Sequence, residues 1–267
     1  MRHYLTIITL ITSLFCSAQN EFNIVSFIEE DGIEIEVIDT AISDENKFNA
    51  DNKILVPGRL FIYSFQHIDT LGNVWYFKEN DDNWKFIEKN NTDSNTVKTV
   101  HIGVLAGNPM SKYVPDYNQT SLKYPLPPIK SYSMSGGIEN EKNIWIHPPR
   151  DLYFSILETN PFPFVKFPCK VGEKWNWSLK IGSSWGDSRW KTWTGTLNNN
   201  IEYEITEKTN IETPLGEIEV FIVKSTALNS IGQSSLISYF NPDFGFVKLA
   251  YVNIDGSKTN LELIEIK

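Results

Sequence analysis

Apolar and polar residues alternate with a period of two along most of this chain, the pattern of strands that bury one face. Phe22, Ile24, Ser26 and Ile28 form the first run. Past a Glu30-Asp31-Gly32 turn come Ile33, Ile35 and Val37, which predicts a hairpin. Residues 39–53 are polar and turn-rich and predict a loop. Leu60, Ile62, Ser64 and Gln66 then alternate with Phe61, Tyr63, Phe65 and His67. Turns at Leu71-Gly72-Asn73 and Asp81-Asp82-Asn83 lead into 74–78 and 84–88, so a three-stranded antiparallel meander is expected. Residues 97–105, VKTVHIGVL, add another strand.

Over residues 107–150 the pattern lapses. Pro109, Pro115, Pro125, Pro127, Pro128, Pro148 and Pro149 fall there, and proline cannot donate to a ladder, so an irregular segment is expected. Residues 152–157, LYFSIL, read as strand-like again.

From residue 161 the alternation is at its cleanest. Trp175, Trp177, Leu179 and Ile181 share a face, as do Ile201, Tyr203 and Ile205, with Glu202 and Glu204 turned outward. A Thr213-Pro214-Leu215-Gly216 turn leads into Ile218, Val220 and Ile222. Residues 235–240 follow, then an Asn241-Pro242-Asp243-Phe244-Gly245 turn into 246–252, and Asp255-Gly256 precedes a closing strand at 261–266. No amphipathic helix of ten or more residues is predicted. The expected fold is all-β: an antiparallel, curved sheet or partly open half-barrel over 161–267, packed with an N-terminal β-region over 19–160. No Gly/Ser linker separates the two, and Asn160-Pro161-Phe162-Pro163 marks the join.

Three short motifs carry a resemblance. Val171, Gly172 and Trp175 form a Val-Gly-x-x-Trp opening. Thr213, Pro214 and Gly216 form a Thr-Pro-x-Gly turn. Tyr239, Phe240, Pro242, Gly245, Val247 and Lys248 form a Tyr-Phe-x-Pro-x-x-Gly-x-Val-Lys strand. In this order they resemble the uncharacterised bacterial envelope domains grouped as 3108-like domains of unknown function, over about residues 165–267. The resemblance implies a curved antiparallel sheet similar in outline to the half-barrels of periplasmic lipoprotein carriers. It implies no activity and no catalytic residues.

The N-terminus changes the picture from fold to location. Arg2 and His3 precede an apolar run from Tyr4 to Phe15 and small residues at Cys16 and Ala18, the layout of an export signal cleaved after Ala18. The Ser17-Ala18-Gln19 ending is similar to the signals of Bacteroidetes. Phe15 before Cys16 is the wrong residue for lipid attachment at that cysteine. No later segment approaches the roughly 20 apolar residues of a membrane span. A secreted or periplasmic protein, free of an integral membrane segment, is expected.

Charge narrows the partners. Residues 19–160 carry 12 basic against 21 acidic residues, and 161–267 carry 11 against 12. The acidic front half argues against nucleic acid or anionic lipid as a partner, since both need basic patches. Past the signal only Cys169 remains, so no internal disulfide forms and the core must stabilise the fold. Cys169, between Pro168 and Lys170 in an apolar run, reads as a structural thiol.

Candidate chemistry is sparse. His67, His101 and His147 are far apart in sequence, with no His-x-x-x-His or Cys-x-x-Cys spacing, so no cofactor or metal is called for. Glu79-Asn80-Asp81-Asp82-Asn83 has oxygen ligands of the kind calcium prefers, but a hairpin turn wants the same residues. His147, beside Arg150 on a proline-stiffened loop, could receive a carboxylate or phosphate. Asp39-Thr40-Ala41 and Asp69-Thr70-Leu71 resemble glycosylated tripeptides of Bacteroidetes.

Five of the eight tryptophans fall within 161–193. Trp175 and Trp177, two residues apart, are expected side by side in the core or as a stacking floor for sugar rings. Trp185, in a Gly182-Ser183-Ser184-Trp185-Gly186 loop, has less reason to be buried. The expected function is a non-enzymatic binding module for an apolar or glycan-like envelope ligand or a partner protein, with Trp185, Trp175, Trp177, His147 and Arg150 as ligand contacts. An envelope polysaccharide hydrolase and a purely structural protein are the alternatives. If the signal reading holds, N-terminal sequencing of the exported protein finds Gln19 first; an uncut leader or a lipid-modified Cys16 would refute it.

Overall fold

A computed structural model describes residues 51–267, except 82, 115, 116 and 131, and the backbone of two earlier strands, Val25–Glu30 (β1) and Ile33–Ile38 (β2). These two pair antiparallel, from Val25 opposite Ile38 to Glu30 opposite Ile33, which is the first predicted hairpin. Phe22, Ile24, the signal segment and Asp39-Thr40-Ala41 lie outside the described residues.

The remaining strands are β3 (Leu60–Ile68), β4 (Val74–Asn80), β5 (Asn83–Glu88), β6 (Thr99–Val104), β7 (Thr120–Pro125), β8 (Tyr132–Glu139), β9 (Asn143–Ile146) and β10 (Phe164–Lys166). After them come β11 (Lys174–Ile181), β12 (Leu197–Thr213), β13 (Gly216–Asn229), β14 (Gly232–Asn241), β15 (Gly245–Val252) and β16 (Lys258–Ile266). All fourteen belong to one antiparallel sheet with the order β10-β9-β8-β7-β6-β3-β16-β15-β14-β13-β12-β11, and β4 and β5 branch from β3. Strands from both sides of residue 160 thus share one sheet, joined where β3 pairs with β16 from Ile68 opposite Lys258 to Phe61 opposite Ile266.

The sheet curls into a half-barrel. Its terminal strands, β10 and β11, are consecutive in sequence, and across the gap Phe164 meets Trp175 and Trp177 with ring centres 5.5 and 5.3 Å apart. Register shifts at Ile205/Glu207, Tyr239/Phe240 and Leu263/Glu265 supply bends, because a bulge adds a residue to one strand and sharpens its twist. Alternation sets the faces: in β11 Trp175, Trp177, Leu179 and Ile181 are buried while Lys174, Asn176 and Lys180 are exposed.

Two expectations are corrected. Residues 107–150 hold β7, β8 and β9 as well as a short 3-10 turn at Pro109–Lys112. The prolines sit where strands end: Pro125 closes β7, Pro127 and Pro128 join it to β8, and Pro148 and Pro149 follow β9. All four residues of β9 and the last five of β8 are buried, so no polar face shows in the sequence. Residues 152–157 are not a strand but the start of a 3-10 helix, Leu152–Thr159. Its Tyr153, Phe154, Ile156, Leu157, Glu158 and Thr159 are all buried, and a short run apolar on every side has no period to read.

That helix lies in the connection between β9 and β10, two strands that pair as a hairpin. Residues 147–163 therefore leave the sheet edge, fill the concave face and return. Phe154 packs on Phe65 and Phe77 at ring distances of 5.0 and 5.6 Å, and Phe162 on Trp177 at 5.6 Å. One large cluster of buried side chains results among the described residues.

Residues 51–59 are tied to β8 and packed against the start of β15. The buried Glu139 carboxylate of β8 accepts the backbone N–H groups of Lys53, Ile54 and Leu55 at 2.6–3.1 Å. Arg59 Nη1 donates to the carbonyls of Lys53 and Ile54. Ile54 then fits against Gly245 so closely that a Cβ there would lie 2.8 Å from Ile54 Cγ2. Glu139→Gln keeps the shape but removes the charge from these bonds and turns an N–H pair toward donors. Urea unfolding should show a loss of about 2 kcal/mol; an unchanged midpoint would refute the latch.

Candidate functional site

The candidate site is built where the filled concave face meets the long connection between β11 and β12, residues 182–196. This connection leaves β11 at Gly182, makes a 3-10 turn at Ser183–Trp185, and is pinched by backbone pairing of Asp187 with Lys191. It crosses to the β4–β5 hairpin. There Arg189 lies 3.9 Å above the Trp84 ring and donates to Asn83 Oδ1 and to the Trp84 carbonyl, both at 3.2 Å. Asp187 pairs with the same guanidinium, which holds the Asp187 carboxyl below the usual carboxylate range. Trp190 is buried and stacks on Trp84, with rings 12° from parallel and centres 6.3 Å apart. The connection thus straps two distant parts of the sheet together over the concave face.

Beneath the strap lies a buried acid. Glu158, at 1% exposure, would be untenable alone, since an unpaired buried carboxylate is strongly disfavoured. Arg150 Nε sits 3.1 Å from its Oε1 and His147 Nε2 sits 3.6 Å from its Oε2. His147 is itself buried against Phe162, with its Nδ1 2.9 Å from the Pro148 carbonyl. The Arg150 guanidinium also lies 4.3 Å from the centre of the Trp185 ring. The structure therefore brings Trp185, Arg150 and His147 into one neighbourhood, through an acid that sequence reading missed. A lone glutamate within the apolar run Ile156-Leu157-Glu158-Thr159 was the signal available for it.

The other two predicted contacts lie apart from this group. Trp175 and Trp177, at 6% and 2% exposure, are core residues: Trp175 stacks on Tyr203 with centres 5.2 Å apart, and Trp177 packs on Trp145, also at 5.2 Å. Trp185 is half-buried. Arg189, Trp84 and Trp190, which complete the strap, were not singled out from sequence.

The remaining polar candidates have structural partners. Cys169 is half-buried and burial pushes its thiol up to about 11, so it is protonated at neutral pH and a poor nucleophile. Glu79 near the end of β4 and Asp81 in the β4–β5 turn line a surface cavity of about 500 Å³ with Asn95, Pro128 and Ile129. Asp69 holds the β3–β4 turn, accepting the N–H groups of Leu71 and Asn73, the Asn73 amide and Trp75 Nε1. Those bonds, the Asn73 amide first, pull its carboxyl down to about 2. Thr70 beside it is exposed. His101 lies in β6, and burial lowers its pKa.

His67 sits below the strap, stacked on Phe86 with centres 4.5 Å apart. Asn253 Nδ2 donates to Thr259 Oγ1, which lies 2.6 Å from Tyr153 Oη, and Tyr153 Oη lies 2.8 Å from His67 Nδ1. Donors run in one direction through this chain when Tyr153 donates to Nδ1, which requires the neutral imidazole. Burial accordingly lowers the His67 pKa to about 4, against the opposing charges of Asp255 and Asp69.

No family model and no curated protein matches the chain. Among solved structures it is similar to a candidate exported protein with a YmcC-like fold from Bacteroides fragilis, at 10% identity and a TM-score of 0.43. That match covers 79% of this chain and 96% of the other. It is also similar to a candidate lipoprotein from Parabacteroides distasonis, at 13% identity and a TM-score of 0.41, covering 84% and 100%. Similarity at this level says nothing of activity or location. Among the described residues no helix is long and apolar enough to cross a membrane.

The lowered His67 pKa makes a stability prediction. Above pH 6.5 the imidazole is neutral in folded and unfolded chains alike; below it the unfolded chain takes up a proton that the folded one refuses. Stability is thus lost as pH falls from 6.5 toward 4, by about 3 kcal/mol at roughly 1.4 kcal/mol per pKa unit. Urea unfolding at pH 7.5 and 4.5 should show that loss in the wild type and a much smaller one in His67→Gln. Equal losses would refute the assignment. Asp69 and Asp93, both held at about 2, titrate below this window.

Proposed function

We propose that the protein is a non-enzymatic, exported β-protein of the bacterial envelope, related to the 3108-like domains, that holds a glycan-like ligand on the rim formed by Trp185 and Arg150. One observation carries this reading. Of the three tryptophans expected to contact ligand, Trp185 alone is not buried in the core, and it is set on a strap with the Arg150 guanidinium 4.3 Å from its ring centre. A sugar ring is recognised by such an arrangement, because its C–H faces stack on indole while a guanidinium meets its hydroxyl or carboxyl oxygens. The curled antiparallel sheet supports the relation to the 3108-like domains, whose three motifs fall here at the start of β11, the β12–β13 turn and the β14–β15 hairpin. His147 acts in this reading as a positioning residue, holding Glu158 and through it Arg150. The apolar-ligand version finds less support, since residues 147–163 occupy the concave face.

Tryptophan fluorescence titrated with soluble peptidoglycan and capsule-type polysaccharide fragments tests the proposal. Saturable binding is expected in the wild type, weakened about fivefold in Trp185→Ala with unchanged stability. No response to any glycan would leave the structural role in its place.

A further inference from the structure

Among the side chains that line the concave face, four donate to main-chain carbonyl groups of the one segment inside it. Asn199 Nδ2 of β12 and Ser234 Oγ of β14 both donate to the Thr159 carbonyl, at 3.2 and 2.6 Å. Tyr203 Oη of β12 donates to the Phe162 carbonyl at 3.1 Å, and Tyr124 Oη of β7 to the His147 carbonyl at 2.6 Å. Four donors from three strands thus hold an irregular stretch of peptide by its backbone, while Phe154, Leu157 and Phe162 fill apolar space between them. Recognition of backbone by fixed donors, with pockets for alternate side chains, is how grooves bind extended peptides.

Three features set this segment apart from an ordinary core element. It is the loop of a hairpin: β9 and β10 pair with each other from Trp145 opposite Phe164, and Ile146 N–H already bonds the Pro163 carbonyl. No strand pairing of the sheet therefore depends on it. Past His147, whose N–H still bonds the Gly136 carbonyl of β8, its backbone bonds include short-range ones such as Phe154 N–H to the Asp151 carbonyl and Asn160 N–H to the Leu157 carbonyl. It is also an incomplete fit. The fully buried Tyr251 hydroxyl of β15 and the indole N–H groups of Trp175 and Trp177 have no hydrogen-bond partner, nor does Asn160 Oδ1. Buried donors left without acceptors cost free energy, so the closed state is less favourable than complete satisfaction would make it.

We propose that the concave face is a peptide-binding groove, occupied in cis by residues 147–163, that accepts a looped apolar segment of a partner protein bearing aromatic residues and proline. The partner segment displaces the internal one and offers its carbonyl groups to Asn199, Ser234, Tyr203 and Tyr124, with Tyr251 as a further donor. The displaced segment carries Arg150, His147 and Glu158 of the Trp185 rim with it, so a partner in the groove and a ligand on the rim exclude one another, and the peptide titration below reads the groove without reference to glycan binding.

The test replaces residues 147–162 with Asn-Gly, which joins Ile146 to Pro163 through a two-residue hairpin turn. A synthetic peptide of residues 147–162, labelled with a fluorophore, is then titrated into this variant and followed by anisotropy. Saturable binding is expected, absent with a scrambled peptide and weakened about tenfold when Asn199→Ala and Ser234→Ala remove two donors. A folded variant that ignores the peptide, or that takes up a fluorescent fatty acid instead, overturns the proposal. Amide hydrogen exchange on the full chain keeps it falsifiable if the variant does not fold. The amides of Phe154 and Asn160 should then exchange through a local opening, well before those of Val223 and Ser238 in β13 and β14. Equal protection of plug and sheet would overturn it as well.

Discussion

A curved sheet with an apolar concave face has to bury that face, and in this protein everything else depends on how residues 147–163 do so. Without them Phe65, Phe77, Trp145 and Trp177 would face water unless another apolar segment covered them, at roughly 25 cal/mol for each Å² exposed. With them, a single cluster runs from β3 through β16 to β11. The sheet cannot be understood as two halves stacked together, because the segment that fills it touches strands from both.

Filling the concave face from a hairpin loop has a cost, and the polar groups of the site follow from it. A backbone leaving the sheet loses its ladder partners, so its carbonyl groups are met by Asn199, Ser234, Tyr203 and Tyr124. The loop carries Glu158 inside with it, and Arg150 and His147 follow to meet that charge. Arg150 in turn gives Trp185 a surface to stand on. The group is thus first a solution to burying an acid, with the half-buried Trp185 at its edge.

Much of the frame was legible along the chain. Period-two alternation marked β3, β4, β5 and β11 through β16, and the turns at Gly72, Gly216 and Asp255-Gly256 fell where glycine takes a positive φ of 89°, 103° and 85°. The expectation that Trp175 and Trp177 pack in the core also rested on alternation. Three strands between 120 and 146 were illegible for a physical reason: β9 and most of β8 are buried on both faces, and prolines at the strand ends resemble prolines that forbid strands. Residues 152–157 failed in the same way, being apolar on every side.

Alternation is a local property, decided by which way each side chain points from a pleated backbone, and so the chain alone determined the all-β class, most strand positions and the inward face of β11. Partnership across long separations is not local. That Glu158 would meet Arg150 and His147, that Arg189 and Trp190 would clamp Trp84 about a hundred positions away, and that a hairpin loop would become the filling of the sheet were decided by the curl that brings β10 to β11. Curvature sums small twists and three bulges over many strands, and no window of sequence contains that sum.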